Sequence, residues 1–229
     1  MPRASRILKN SLANIDSVFH HKSPYIKKGI PYFSQWESPE LNDDILNKKK
    51  DAAEDKKWKN SGANSPEEYR LWSWHTCGIT CFKMILADIL GKEFKTINLA
   101  KKCAKYGGFR KKGENIEGLY YLPFCRFVRK EFKLKIEFVR WLSIKRIKRE
   151  LSQDNYVIAT VNPNIRDLES SIPKKKGGHL VLVVGYDDKK KILFLHNPSG
   201  FYKKSQEYAE ISEKNFKRFF AKRGVVVYS

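Results

Sequence analysis

From Thr76 onward apolar residues fall at Ile79, Phe82, Ile85, Leu86, Ile89 and Leu90, a helical spacing that Gly91 ends. Thr76 stands where an N-cap is expected. The apolar positions cover so much of the circumference that this helix is expected in the centre of the fold. Two further helices are predicted over about 96–106 and 116–132, separated by Gly107-Gly108 and Gly113. Beyond them the period changes. Residues 135–141, 156–161, 179–186 and 192–195 read as strands, with a helix over 143–153 between the first two. A helix over 211–221 and a final strand over 224–228 follow.

A helical half followed by a mostly antiparallel sheet half is an α+β arrangement, with a natural cleft between the halves. The N-terminal third is less regular. Residues 1–29 form a basic appendage in which Ile7, Leu8, Leu12, Ile15 and Phe19 can line one side of a short helix. Residues 30–33 read as an edge strand, and Pro31 favours an extended residue before it. Residues 38–70 are polar, rich in Lys, Asp and Asn, with Ser65-Pro66-Glu67-Glu68 as a helix start, and are expected to be a surface insertion with short helices. The folded domain is therefore expected to span 30–229.

Composition sharpens this picture in three ways. With 229 residues, 41% of them hydrophobic, the chain can bury one good core. The formal charge of +21 admits nucleic acid or an acidic protein as a partner, although lysine runs such as Lys174-Lys175-Lys176 sit where turns are predicted and are first of all a solvated surface. No apolar run is long enough for a membrane span, and the N-terminus lacks the apolar region of a signal peptide. A cytoplasmic location with four reduced thiols is the expectation.

Cys77 opens the central helix, where unpaired backbone N–H groups and the helix dipole favour a thiolate. Read alone, it is equally a small apolar residue of a buried helix, as Cys81 is expected to be. His179 begins the apolar strand that follows Gly177-Gly178, at the mouth of a cleft, and is the best placed of the five histidines to act as a base. Asn197 follows the next strand. If the two strands pair through the Asp187-Asp188-Lys189 turn, its side chain lies near His179 and can hold the imidazole tautomer; an Asn-Pro turn is the alternative. Zinc binding by Cys77, Cys81, Cys103 and Cys125 is not favoured, because three of the four read as interior helix residues. No metal or other cofactor is expected, and no phosphate-binding glycine loop is present.

Gln35 in Pro31-Tyr32-Phe33-Ser34-Gln35, Trp74-His75-Thr76-Cys77-Gly78, Gly178-His179 with its apolar strand through Tyr186, and Asn197-Pro198 resemble, in order, the motifs of the C39-like peptidases. The resemblance extends to the 143–147 and 156–161 segments and covers about 30–229. It implies a papain-like fold, a helical half with a central nucleophile helix packed on a mostly antiparallel sheet half. It also implies roles: Cys77 nucleophile, His179 general base and then acid, Asn197 orienter, and Gln35 an oxyanion donor beside the Cys77 N–H. The expected function is hydrolysis of a peptide or isopeptide bond in a peptide or protein substrate through an acyl-enzyme. The alternatives are acyl transfer to an amine on the same fold, and a non-catalytic basic module binding nucleic acid or an acidic protein.

Overall fold

The computed structural model describes residues 23–113, 115–167 and 172–229; the basic segment 1–22, with the helix expected on Ile7 to Phe19, lies outside them. The first element is a two-residue strand, β1 (Tyr25–Ile26), inside the stretch expected as an appendage. It pairs antiparallel with Tyr186 and Gly185. Residues 30–33, expected as an edge strand, form none. Pro31 cannot donate to a ladder, and the segment is held by its side chains instead. The Tyr32 hydroxyl donates to the Asn197 carbonyl at 3.0 Å, and beyond it the Gln35 N–H donates to the Pro198 carbonyl at 2.8 Å.

Residues 38–70 hold three 3-10 turns (Pro39–Leu41, Ala52–Glu54 and Trp58–Ser61), a short helix α1 (Asn42–Leu46) and the start of α2 (Pro66–Ser73). Ser65 caps α2 by accepting from the Glu68 N–H, with Pro66 at the first helical position. The polar composition conceals a small core of Trp36, Ile45, Ala52, Tyr69 and Ile97. Beside it lies the fully buried Asp55. Its carboxylate accepts from the Ser38 N–H and hydroxyl, the Lys57 N–H and the Tyr69 hydroxyl, all within 3.0 Å. Four donors satisfy a charge that would otherwise be costly to bury.

The central helix α3 (Cys77–Leu90) is buried from Cys77 to Ala87 and ends at Gly91 in the left-handed conformation. Helix α4 (Thr96–Lys105) packs beside it, followed by a hairpin of β2 (Phe109–Lys112) and β3 (Asn115–Gly118) and by α5 (Tyr121–Phe132). The helix expected over 116–132 thus loses its first turn to β3. Gly118 explains the break: its φ of 151° is closed to a helix, and a Cβ there would sit 2.7 Å from the Gly108 carbonyl oxygen.

The second half contains β4 (Ile136–Val139), α6 (Ile144–Ser152), β5 (Tyr156–Val161), β6 (His179–Asp187), β7 (Ile192–His196), a turn of helix α7 (Lys203–Gln206), β8 (Ala209–Ser212), α8 (Glu213–Phe219) and β9 (Phe220–Val227). The strands run in the order β4-β9-β5-β6-β7-β8, every pair antiparallel, with β1 also beside β6. The segment 211–221, expected as one helix, is divided between β8, α8 and the start of β9. Ser212 accepts from the Asn215 N–H and sets the start of α8 there.

Every residue of β5 and β6 is buried because both faces of the sheet are covered. Ile158, Leu180, Leu182 and Val184 join α3 in one core, while Val157, Ala159, Val181 and Val183 join α6 and α8 in the other. A register shift between Val183 and Gly185 returns Tyr186 to the second layer. The fold is α+β and papain-like, with the helical half on one face of the sheet.

Asp55 is the most vulnerable point outside the two main cores. Asp55→Ala is expected to cost on the order of 3 kcal/mol, read as a lowered urea midpoint, since it strands three buried donors and the half-buried Lys57 N–H. An unchanged midpoint would contradict the account of residues 38–70 as a packed unit.

Candidate active site

Thr76 occupies the N-cap of α3, but its hydroxyl donates back to the Ser73 carbonyl at 3.0 Å and caps no amide. The first-turn N–H groups therefore face Cys77 without a side-chain competitor. That turn lies against the start of β6. The Leu180 backbone lies close enough to the Cys77 thiol to favour its anion, the Cys81 Sγ reaches the Leu180 carbonyl at 3.6 Å, and a Cβ on Gly78 would sit 2.8 Å from the Leu119 side chain and 3.4 Å from that of Leu180. Of the four thiols Cys77 is the most accessible, at 8% exposure against 0–1% for the others.

The β6–β7 hairpin brings Asn197 to His179. The imidazole Nε2 lies 2.8 Å from Asn197 Oδ1, which also accepts the Ser199 N–H at 3.2 Å. An oxygen that already accepts can only accept again, so Nε2 carries the hydrogen and Nδ1 is the basic nitrogen. Two residues that sequence reasoning missed complete this network. Ser199 Oγ lies 3.2 Å from the same Nε2, and Arg166 Nε donates to Ser199 Oγ at 2.8 Å. Ser199 was within reach of inspection, two residues beyond Asn197; Arg166 carries no local signal, since its partner is far along the chain.

The turn that presents Asn197 is tightly held. A Cβ on Gly200 would sit 2.1 Å from the Ser205 carbonyl oxygen, so only glycine fits. Asn42 and Gln206 donate to the Gly200 carbonyl, and the single Ser34 hydroxyl hydrogen is shared between Asn42 Oδ1 and the Pro198 carbonyl. Gln35 is buried beside this turn, and its Oε1 has no partner among the described residues. Trp36 meets Trp74 edge-on at 5.2 Å, tying the Gln35 segment to the residues just before Cys77. A cavity of about 520 Å³ flanks the site through Asn197 and Arg166, with Phe201 and Tyr202 on its wall.

The profile of the Peptidase C39 like family matches residues 27–227. The chain belongs to this family. No curated protein matches it. Among solved structures, a candidate C39-like peptidase from Bacillus anthracis shares the fold, with a TM-score of 0.54 at 14% identity, covering 91% of this chain and 98% of that one. Family and fold make this C39-like chain a peptidase-type protein. No helix among the described residues is long and apolar enough to cross a membrane.

Burial dominates the electrostatics of this C39-like site. It pushes the Cys77 thiol above its ordinary value, against the opposing pull of the Leu180 backbone, the Arg166 guanidinium and the amides of the first helical turn. The thiolate expected from the helix start alone is thus outweighed. Burial, assisted by Arg166, drives His179 down to about 3, while the Asn197 hydrogen bond resists. In each case burial favours the neutral form, thiol for Cys77 and imidazole for His179. His196, wedged edge-on between Tyr32 and Tyr208 with neither ring nitrogen bonded among the described residues, is pushed by burial down to about 4.

These two histidines set an acid limb of stability. Unfolded, both take up a proton near pH 6.5; folded, they stay neutral until about pH 4 and pH 3. Between those limits the unfolded chain binds more protons, so stability falls as pH drops from about 6.5 toward 4. His196→Phe keeps the ring and removes one titration, and the urea midpoint measured from pH 7 to pH 4 is expected to fall less steeply than in the wild type. An identical slope would contradict the buried neutral state of His196.

Proposed function

We infer that this protein is a cysteine peptidase that cleaves a peptide or isopeptide bond with Cys77, His179, Asn197 and Gln35. The observation that supports this most is the hydrogen bond from His179 Nε2–H to Asn197 Oδ1, because it leaves Nδ1 as the only basic ring nitrogen. Cys77 Sγ attacks the substrate carbonyl as its proton passes to His179 Nδ1. The resting pair is neutral, so the proton moves during the attack itself. The tetrahedral oxyanion takes hydrogen bonds from the Cys77 backbone N–H and the Gln35 side-chain amide. The imidazolium then protonates the leaving amine, and the C–N bond breaks to give a thioester on Cys77. His179 next takes a proton from water, the hydroxide attacks the thioester, and the acid product leaves with the thiol restored.

Ser199 and Arg166 position the network from behind. The guanidinium donates to Ser199 Oγ, which shares the Nε2 contact, and the two support the ring with Nε2 toward Asn197 and Ser199. Arg166 also acts on both members of the pair, favouring the thiolate and disfavouring the imidazolium. The cavity of about 520 Å³ adjoins this supporting network through Asn197 and Arg166; neither Cys77 nor His179 lines it.

Cleavage of a mixed peptide library, followed by mass spectrometry, tests this reading. Cys77→Ala is expected to abolish turnover with an unchanged melting temperature; retained cleavage in that variant would sink the mechanism. Gln35→Ala is expected to lower kcat by about 10²–10³-fold with a smaller effect on KM, as for loss of one oxyanion donor. Iodoacetamide should label Cys77 first, at a rate that climbs with pH beyond the ordinary thiol range near 8.5. Fast labelling at pH 6 would mean a preformed thiolate and contradict the neutral resting pair.

A further inference from the structure

On the sheet face turned away from α3, between α6 and α8, lies a groove of about 830 Å³, larger than the cavity beside Asn197. Its floor is apolar, made by Leu142, Ile144 and Phe220, and Trp141 stands at the rim, 58% exposed. Lys145, Lys191, Lys217 and Lys222 surround it, all exposed. The groove also holds two carboxylates, Asp188 and Glu213, but both are engaged by the buried Lys148 ammonium, with Glu213 Oε1 at 2.5 Å. Lys148 offsets one of the two negative charges, and with Lys145, Lys191, Lys217 and Lys222 the five lysines outnumber the two carboxylates, so the rim stays positive. An apolar floor with a cationic rim is the complement of an acidic segment that carries a large apolar side chain.

The candidates within the protein itself are disfavoured by charge. Residues 1–22 carry Arg3, Arg6, Lys9 and Lys22 against one carboxylate, Asp16, and a second copy of the chain brings another net +21. A nucleic acid would match the lysines but leave most of the floor unused: Phe220 is buried, Leu142 and Ile144 offer no ring for a base to stack on, and Trp141 alone is an exposed aromatic. We propose that this groove docks an acidic, apolar-anchored segment of another protein, as a recognition site on the sheet face opposite the nucleophile helix. The proposal stands whether or not Cys77 is catalytic, because no residue of the groove belongs to the candidate active site. If that active site cleaves proteins, the groove gives it a means of selecting acidic ones without contact at the cleavage point.

The test is fluorescence anisotropy with a short labelled peptide of Asp and Glu flanking one Phe, at about 0.1 M salt where charged contacts are partly screened. The expected result is binding that weakens at least about tenfold, roughly 1.4 kcal/mol, in the K145E/K217E double variant and in Trp141→Ala. A peptide with Ser in place of Phe should lose a similar factor, and K174E/K175E, outside the groove, should bind like the wild type. Because K145E/K217E and Trp141→Ala change exposed side chains at separate points of the rim, agreement between them separates lost docking from lost folding. Equal binding of the Phe and Ser peptides, or equal losses in the groove and control variants, would overturn the proposal. So would groove-dependent binding of duplex DNA or of phosphatidylserine vesicles with no binding of the peptide.

Discussion

The contact between the first turn of α3 and the first residues of β6 is the constraint on which the rest of the molecule hangs. It joins the helical half to the sheet half at the one place where Cys77 and His179 enter their elements. Cys81 Sγ to the Leu180 carbonyl and the Leu180 backbone to the Cys77 thiol tie the two elements together, while the glycine at position 78 leaves room for the Leu119 side chain beside them. The driving force is apolar: α3 is buried along eleven of its fourteen residues, and Leu180, Leu182 and Val184 face it in the same core. Chemistry-bearing groups sit at the edge of that core because a helix start and a strand start are brought together there.

Closing the core has an electrostatic consequence. The groups at the junction lose water, so neutral forms are favoured, and the fixed dipoles of the helix start and the Arg166 guanidinium only partly offset that loss. Geometry, rather than a standing ion pair, therefore carries the site. Asn197 fixes the imidazole tautomer, Ser199 and Arg166 fix Asn197 and the ring from behind, and the Gly200 turn is pinned by Asn42 and Gln206. Asn42 belongs to the stretch 38–70, so a segment that is polar in sequence buttresses the turn that presents Asn197. Its own integrity rests on Asp55 and the four donors around it.

Strong periodicity made the central parts of this fold legible before any coordinates. The all-round apolar helix after Thr76 and the buried runs at 156–161 and 179–186 needed only local pattern, and pairing the last of these with 192–195 through a short turn placed Asn197 near His179. Three features resisted. The β2–β3 hairpin is hidden because Gly118 must meet the Gly108 backbone, a close approach that no periodicity expresses. The break at Ser212 depends on β8 pairing with β7, a contact that outweighs the helical pattern of the next residues. The small core behind 38–70 depends on one buried carboxylate among many exposed ones, and composition cannot tell them apart. At the site, burial outweighs the thiolate expected from the helix start, since the first-turn amides and the Arg166 guanidinium offset only part of the lost hydration.

The central claim is that Cys77 carries the acyl group while His179, held through Nε2, moves the protons. Acid quenching during turnover of a cleaved peptide, followed by digestion and mass mapping, addresses it directly. The account predicts a hydroxylamine-labile acyl adduct on Cys77 alone, which accumulates when the step that uses His179 to activate water is slowed at low pH. Cleavage with no adduct on Cys77, or with the adduct on another residue, would contradict it.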